Sequence, residues 1–279
     1  MKNKTVSMLL LLLELFFIVI PLGYMVAVSF ASRTGSYGFE WDMTMKNYKD
    51  LMKPVYMQAF LNSLKLGLLR TYFTLIIGYP FGYMMAFLSK KWKDTVMALL
   101  LLQFTIGGLI RLEGWMMILR ASGPVNSVLM GLGLIEEPLA LLYNRGAVVF
   151  ALTYALLPFM IFSVYSSSSK LDTSLLEASR DLGAGRISTF FRVAFPLTLP
   201  GLLGGFTLTF IPSMGLFFIS DLLGGGKIPL VGNVIQNEIG RGANWPLASA
   251  AAVVLTLMTL IVLFISVKAG GKNPMEADS

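Results

Sequence analysis

Long apolar runs separated by short polar stretches set the pattern of this chain, and runs of about 18 residues or more are read as membrane-spanning helices. The first covers residues 8–30 and follows Lys2 and Lys4, as a secretory signal also begins. It exceeds the roughly 7–15 apolar residues of a signal, so an uncleaved spanning helix is expected. Glu14 lies inside this run. An ionised carboxylate is costly among lipid tails, so Glu14 is expected to face other helices or to sit protonated near the interface, in a packing or assembly role. Residues 31–54 are polar and aromatic, and Trp41, Tyr48 and Tyr56 are placed for a membrane interface.

The second run, residues 60–88, carries Asn62, Lys65 and Arg70 in its first half and Gly78, Pro80 and Gly82 in its second. It is expected to enter the bilayer near Leu68, with a kink at Pro80 and a positive end at Lys90, Lys91 and Lys93. A third span is expected over 96–119, a fourth over 147–165 with Tyr154 and Pro158 inside, a fifth over 197–219 interrupted by Pro212 and Gly215, and a sixth over 245–267. Between the last two, residues 220–246 are Gly-rich and then amphipathic around Val234–Ile239, which reads as a loop and a short helix that dips back toward the membrane.

A polar, helix-patterned island, residues 172–200, stands apart from these runs. Ser174 and Glu177 have capping-box spacing, so a helix start is expected there. Leu175, Ser179 and Leu182 recur at helical spacing beside Leu176, Arg180 and Asp181 fall on the other face, and Gly183 and Gly185 supply stop signals. The result is a short amphipathic helix whose leucines need a partner protein or lipid headgroups.

Composition narrows the class. With 56% apolar and 13% charged residues the chain is an all-α integral membrane protein of six spans in one domain, residues 1–279. It has neither Cys nor His, which removes disulfides, thiolate metal sites and the commonest general base, so catalysis is not expected. The net charge of +7 is scattered over short loops rather than gathered on one face, which fits lipid headgroups and not nucleic acid. A modest Lys and Arg excess places both termini and the 172–200 island in the cytoplasm. No P-loop is present, since the Gly224–Pro229 stretch GGGKIP lacks the required spacing.

The island resembles the EAA loop of the membrane subunits of ATP-binding cassette (ABC) importers: Glu-Ala-Ala, three residues, Gly, nine residues, Ile-x-Leu-Pro. Here Glu177, Ala178, Ser179, Gly183, Val193, Phe195 and Pro196 fall at those spacings, with Ser179, Val193 and Phe195 as conservative departures. From about Asn62 to Trp245 the chain is similar, more narrowly, to spermidine/putrescine importer permeases of the PotB type, through GYPFGYMMAFL, the run LLPFMIF through LEASRDLGA, FPLTLPG, PSMGLFFISDLLGG and GNVIQNE followed by NWP. The resemblance implies a type I ABC importer permease fold and an importer in a bacterial cytoplasmic membrane. It implies a coupling helix in which Glu177, Ala178, Ser179, Arg180, Leu182 and Gly183 meet an ATPase. It further implies a second related permease, two ATPase subunits holding ATP and Mg, and an external binding protein that delivers a polyamine. An ordinary amphipathic connector is the alternative for the island.

A polyamine is a string of ammonium groups joined by methylenes, and its path needs carboxylates or carbonyls for the charges and aromatic faces for the stem. Glu113 with Trp115, Asp221 at the outer end of the fifth span, and Glu238 on the short outer helix are the candidates. Each has a structural alternative: Glu113 pairs with Arg111 or a partner subunit, and Asp221 caps or turns the chain before the glycines. Relatives in the polyamine group are expected to carry an aromatic residue at the Glu113 position. A secondary carrier without an ATPase is the other class that the spans permit, although no paired repeat or ion-relay carboxylate chain is present in the sequence.

Overall fold

The computed structural model describes residues 4–35 and 38–270. Lys2 and the tail beyond Gly270 lie outside them. The elements in chain order are α1 (Lys4–Ser29), an antiparallel ribbon of β1 (Ser32–Thr34) and β2 (Gly38–Glu40), α2 (Lys46–Leu51), α3 (Pro54–Ala86), α4 (Lys90–Thr105), α5 (Gly108–Leu119), α6 (Pro124–Gly131), α7 (Arg145–Ser168), α8 (Thr173–Asp181), α9 (Arg186–Thr189), α10 (Phe195–Gly215), α11 (Phe217–Gly224), α12 (Val231–Gly240) and α13 (Trp245–Gly270). Five of the described helical stretches are long and apolar enough to cross a membrane, and α4 with α5 and α6 forms a bent pair that makes a sixth. The bend is 96°. The stretch 96–119, read from the sequence as one span, is thus two helices. Ile106 and Gly107 both take extended backbone angles, and Gly107 and Gly108 are the residues least able to hold a helix together.

Two compact units are distinguished, Met1–Leu61 with Pro229–Leu260 and Asn62–Ile228 with Ile261–Ser279. In the first, Leu51, Ala59, Phe60, Val231, Val234 and Leu247 form a buried cluster. The end of α1 is tied to α2 by Asn47, whose amide donates to the Ser29 and Ala31 carbonyls at 2.9 and 2.8 Å, and by a 2.7 Å bond between the Ser29 and Tyr48 hydroxyls. Residues 11–24 of α1 are exposed, and Glu14 faces outward among exposed leucines and phenylalanines.

In the second unit α7 is the central helix, with 61% of its most apolar window buried. Glycines let its neighbours approach. Gly78 of α3 lies on Met160, Gly82 on the Ile161 carbonyl, and Gly205 of α10 again on Met160. The Ser163 hydroxyl donates to the Gly201 carbonyl at 2.7 Å, and the hydroxyls of Tyr79 and Thr198 meet at 2.7 Å, so both neighbours are also held by polar contacts in an apolar setting. A wide π turn over Phe190–Ala194 joins α9 to α10. It lies directly before Pro196, whose ring would crowd the Arg192 carbonyl in a regular α-turn.

Candidate functional site: a helical hairpin and an acidic helix pair

The 172–196 segment folds as a hairpin of α8, a tight turn, and α9 continuing into the π turn. Helix α8 begins two residues earlier than the Ser174–Glu177 box predicts. Asp172 is the N-cap, and its carboxylate accepts from the Ser174 backbone N–H at 2.9 Å. That bond holds the fully exposed Asp172 carboxyl below its ordinary pKa, because the N–H stabilises the charged form. At the other end, Gly183 has φ +87°, donates to the Arg180 carbonyl at 2.8 Å, and is followed by Ala184 donating to the Ser179 carbonyl at 3.1 Å. These are the two bonds of a Schellman stop, which needs a left-handed residue at Gly183.

The stop turns the apolar side chains outward. Leu176 is buried, whereas Leu175, Leu182, Ile187 and Phe191 are exposed, Leu182 to 90%. Among the site residues predicted from sequence, Glu177, Ala178, Arg180 and Gly183 are also exposed, and Ser179 turns inward to meet the Thr189 hydroxyl at 3.2 Å. Glu177 and Arg180 edge a recess of about 330 Å³ with Tyr83, Phe87, Thr173 and Leu176. Ile187 and Phe191 extend the apolar face beyond the residues picked from sequence. The signal available for them was the placing of two apolar residues beside Arg186 and Arg192 after a helix stop.

The acidic candidates separate. Glu113 is exposed on α5, and among the described residues it forms no ion pair with Arg111. Arg111 instead lies over the Tyr154 ring, 5.9 Å from its centre, with Nε and Nη1 buried and unpartnered. Trp115, two residues from Glu113, packs edge-on against Phe150 and Tyr154 at 4.6 and 5.3 Å. The cation face of its neighbour Tyr154 is already taken by Arg111. Asp221 is exposed on α11, which packs against α5 and α7. The turn after it is built by other groups. Gly225 adopts φ +64°, and the Ser220 hydroxyl donates to the Ile228 carbonyl at 2.7 Å. Glu238 belongs to the first unit, where its carboxylate accepts from the Tyr56 hydroxyl at 2.9 Å.

A third feature was not read from the sequence: a groove of about 490 Å³ between α3 and α7, walled by Leu66, Leu69, Phe73, Ile77, Val149 and Phe150. Lys65 and Arg145 also line it. Among the described residues there is no cluster of His, Cys, Asp or Glu able to hold a metal ion.

Comparison with known proteins fits this arrangement to a family. The family of binding-protein-dependent transport system inner membrane components matches residues 78–269, which include the hairpin. The spermidine/putrescine transport system permease protein PotB of Haemophilus influenzae is 42% identical over 255 residues, covering 91% of this chain and 89% of that protein. PotB of Escherichia coli is 38% identical over 249 residues, covering 89% and 90%. Among solved structures, a bacterial ABC transporter involved in the import of the acidic polysaccharide alginate gives a TM-score of 0.72 at 18% identity over 96% of each chain. The inward-facing MetNI methionine ABC transporter gives 0.59 at 22% identity over 78% of this chain and 98% of that one. The fold is that of a type I ABC importer permease. The chain is a multi-pass membrane protein of the binding-protein-dependent transport system inner membrane component family.

Proposed function

We propose that this permease subunit moves spermidine, putrescine or a closely related polyamine across a bacterial cytoplasmic membrane, in an importer driven by separate ATPase subunits. The observation that carries the reading is the 42% identity to a spermidine/putrescine permease over 91% of the chain. The hairpin supports the ATPase contact: Leu182, Leu175 and Ile187 form an exposed apolar face next to the charged Glu177 and Arg180, the mixture expected of a docking patch. Both termini lie in the cytoplasm on this reading, a second permease completes the cavity, and an external binding protein delivers the cargo.

ATP and Mg are held by the ATPase subunits, and their closure carries the hairpins with it. The permease pair then switches from an inward-facing to an outward-facing cavity while the binding protein is docked. This chain contributes carboxylates to the path. Glu113 and Asp221 stand exposed on packed helices where ammonium groups can reach them in turn, while Glu238 is the weaker third because Tyr56 engages it. Uptake of labelled spermidine and putrescine into proteoliposomes containing the reassembled complex tests this. Glu113→Gln and Asp221→Asn should each raise the concentration needed for half-maximal uptake, and uptake should stop without ATP. Uptake that persists when the ATPase is inactivated would make the protein a secondary carrier, and normal uptake by both variants would remove these carboxylates from the path.

A further inference from the structure

The groove between α3 and α7 calls for an occupant. The two helices touch in their later halves, where Gly78 meets Met160 and Leu157 and Gly82 meets Ile161 and Val164. Both therefore run in the same direction, and the same register brings Lys65 level with the start of α7 at Arg145. The helices part toward those N-terminal ends and leave the groove open sideways, with Leu69, Phe73, Ile77 and Phe150 between 41% and 49% exposed.

Its chemistry is one-sided. Two cations stand together at the mouth, no carboxylate lines the groove, and among the described residues neither Lys65 nor Arg145 has an ion-pair partner. A polyamine is repelled by that pair, so the groove is no part of a cation path. Thr153 is the one polar side chain far below the mouth, and its hydroxyl is buried there without a hydrogen-bond partner.

Size decides between the remaining occupants. From Lys65 to Ile77 the helix rises about 18 Å, close to the roughly 15 Å of one hydrocarbon leaflet. A slot of 490 Å³ spread over that length and headed by Lys65 and Arg145 has the reach and the charge to take one leaflet of an anionic lipid. We propose that this groove binds an anionic phospholipid, its phosphate between Lys65 and Arg145 and one acyl chain along Leu66, Leu69, Phe73 and Ile77.

The test is native mass spectrometry of the complete importer complex in detergent, with phosphatidylglycerol or phosphatidylethanolamine of identical acyl chains added. The wild type should retain phosphatidylglycerol in preference to phosphatidylethanolamine. The Lys65→Gln/Arg145→Gln double variant should lose that retention by about tenfold, and Lys65→Arg/Arg145→Lys should keep it. Leu69→Trp, which fills the groove and leaves both charges, should lose it as well, and it carries the test if the double variant fails to assemble. Equal retention of the two lipids, unchanged retention in both groove variants, or displacement of the bound species by inorganic phosphate would overturn the proposal. A cross-link from a Phe73→Cys variant to the second permease would assign the groove to that subunit instead.

Discussion

Replacing Gly183 by alanine isolates the backbone requirement of the hairpin from its surface chemistry. At φ +87° an L side chain sets its Cβ against the adjoining carbonyl, a cost of about 1–2 kcal/mol. No other atom lies within 4 Å of the added Cβ, so strain is the whole effect and no clash contributes. About 1–2 kcal/mol lowers the ratio of intact to opened turn by a factor of about 5–30. Once open, the turn loses the bonds to Arg180 and Ser179 and no longer sets the direction of Leu182. Asparagine tolerates the left-handed region and should be milder, and valine should be worse. In proteoliposomes bearing the reassembled complex, uptake and transport-coupled ATP hydrolysis should therefore fall in the order Gly, Asn, Ala, Val. The amount of permease in the membrane should stay constant across the series. If all four support equal coupled turnover, the left-handed turn at Gly183 has no part in coupling and the argument fails.

Two further outcomes follow from the same geometry. Because its bond to the Ser174 N–H depresses the Asp172 pKa, the cap is fully effective above the ordinary carboxylate range and is lost as pH falls through the depressed value; limited proteolysis between Asp172 and Gly183 should accelerate over that interval, whereas Asp172→Ala should be cut readily and independently of pH there. Gly201→Ala in α10 should lower the thermal midpoint of the purified protein by an amount matching overpacking of about 1–3 kcal/mol, since its Cβ would meet the Ser163 carbonyl at 2.8 Å and the Ser167 side chain as well; Gly204→Ala, facing only the Ser163 hydroxyl oxygen, should lower it less.

Hairpin and spans were legible because their signals are local. The glycine at position 183 announces a left-handed stop wherever a helix precedes it, and its spacing from Glu177 carries the family resemblance. The cap was misread by two residues because Asp172 and Ser174 both qualify. The choice went to the carboxylate, which reaches the Ser174 N–H without needing a reciprocal bond from Glu177. The break at Ile106–Gly107 was visible as a glycine pair, yet apolar residues on both sides satisfied the length rule for one span and concealed it. Trp115 shows a deeper limit. Its position next to Glu113 suggested a shared face toward the cargo, but its partners Phe150 and Tyr154 sit on α7, and no spacing within α5 could reveal them. The same holds for Glu238, whose bond comes from Tyr56, 182 residues away.

Charge in the second unit is sorted by side. Phe150 both lines the groove and meets Trp115, so one aromatic pair stands between the cationic mouth of α3 and α7 and the helix that carries Glu113. On the α5 and α11 side the exposed ionisable groups include Glu113 and Asp221, and on the groove side they are Lys65 and Arg145. Charges a few Å apart interact by about 4 kcal/mol at the effective dielectric of a protein surface. A cation that wandered into the groove, or an anionic headgroup drawn toward Glu113, would meet repulsion of that order. A membrane subunit that handles a multiply charged cargo must keep it from the anionic lipids around it. If the groove holds an anionic lipid and Glu113 and Asp221 meet the cargo, as proposed, then cations on the groove side and these two carboxylates on α5 and α11 keep lipid and cargo apart.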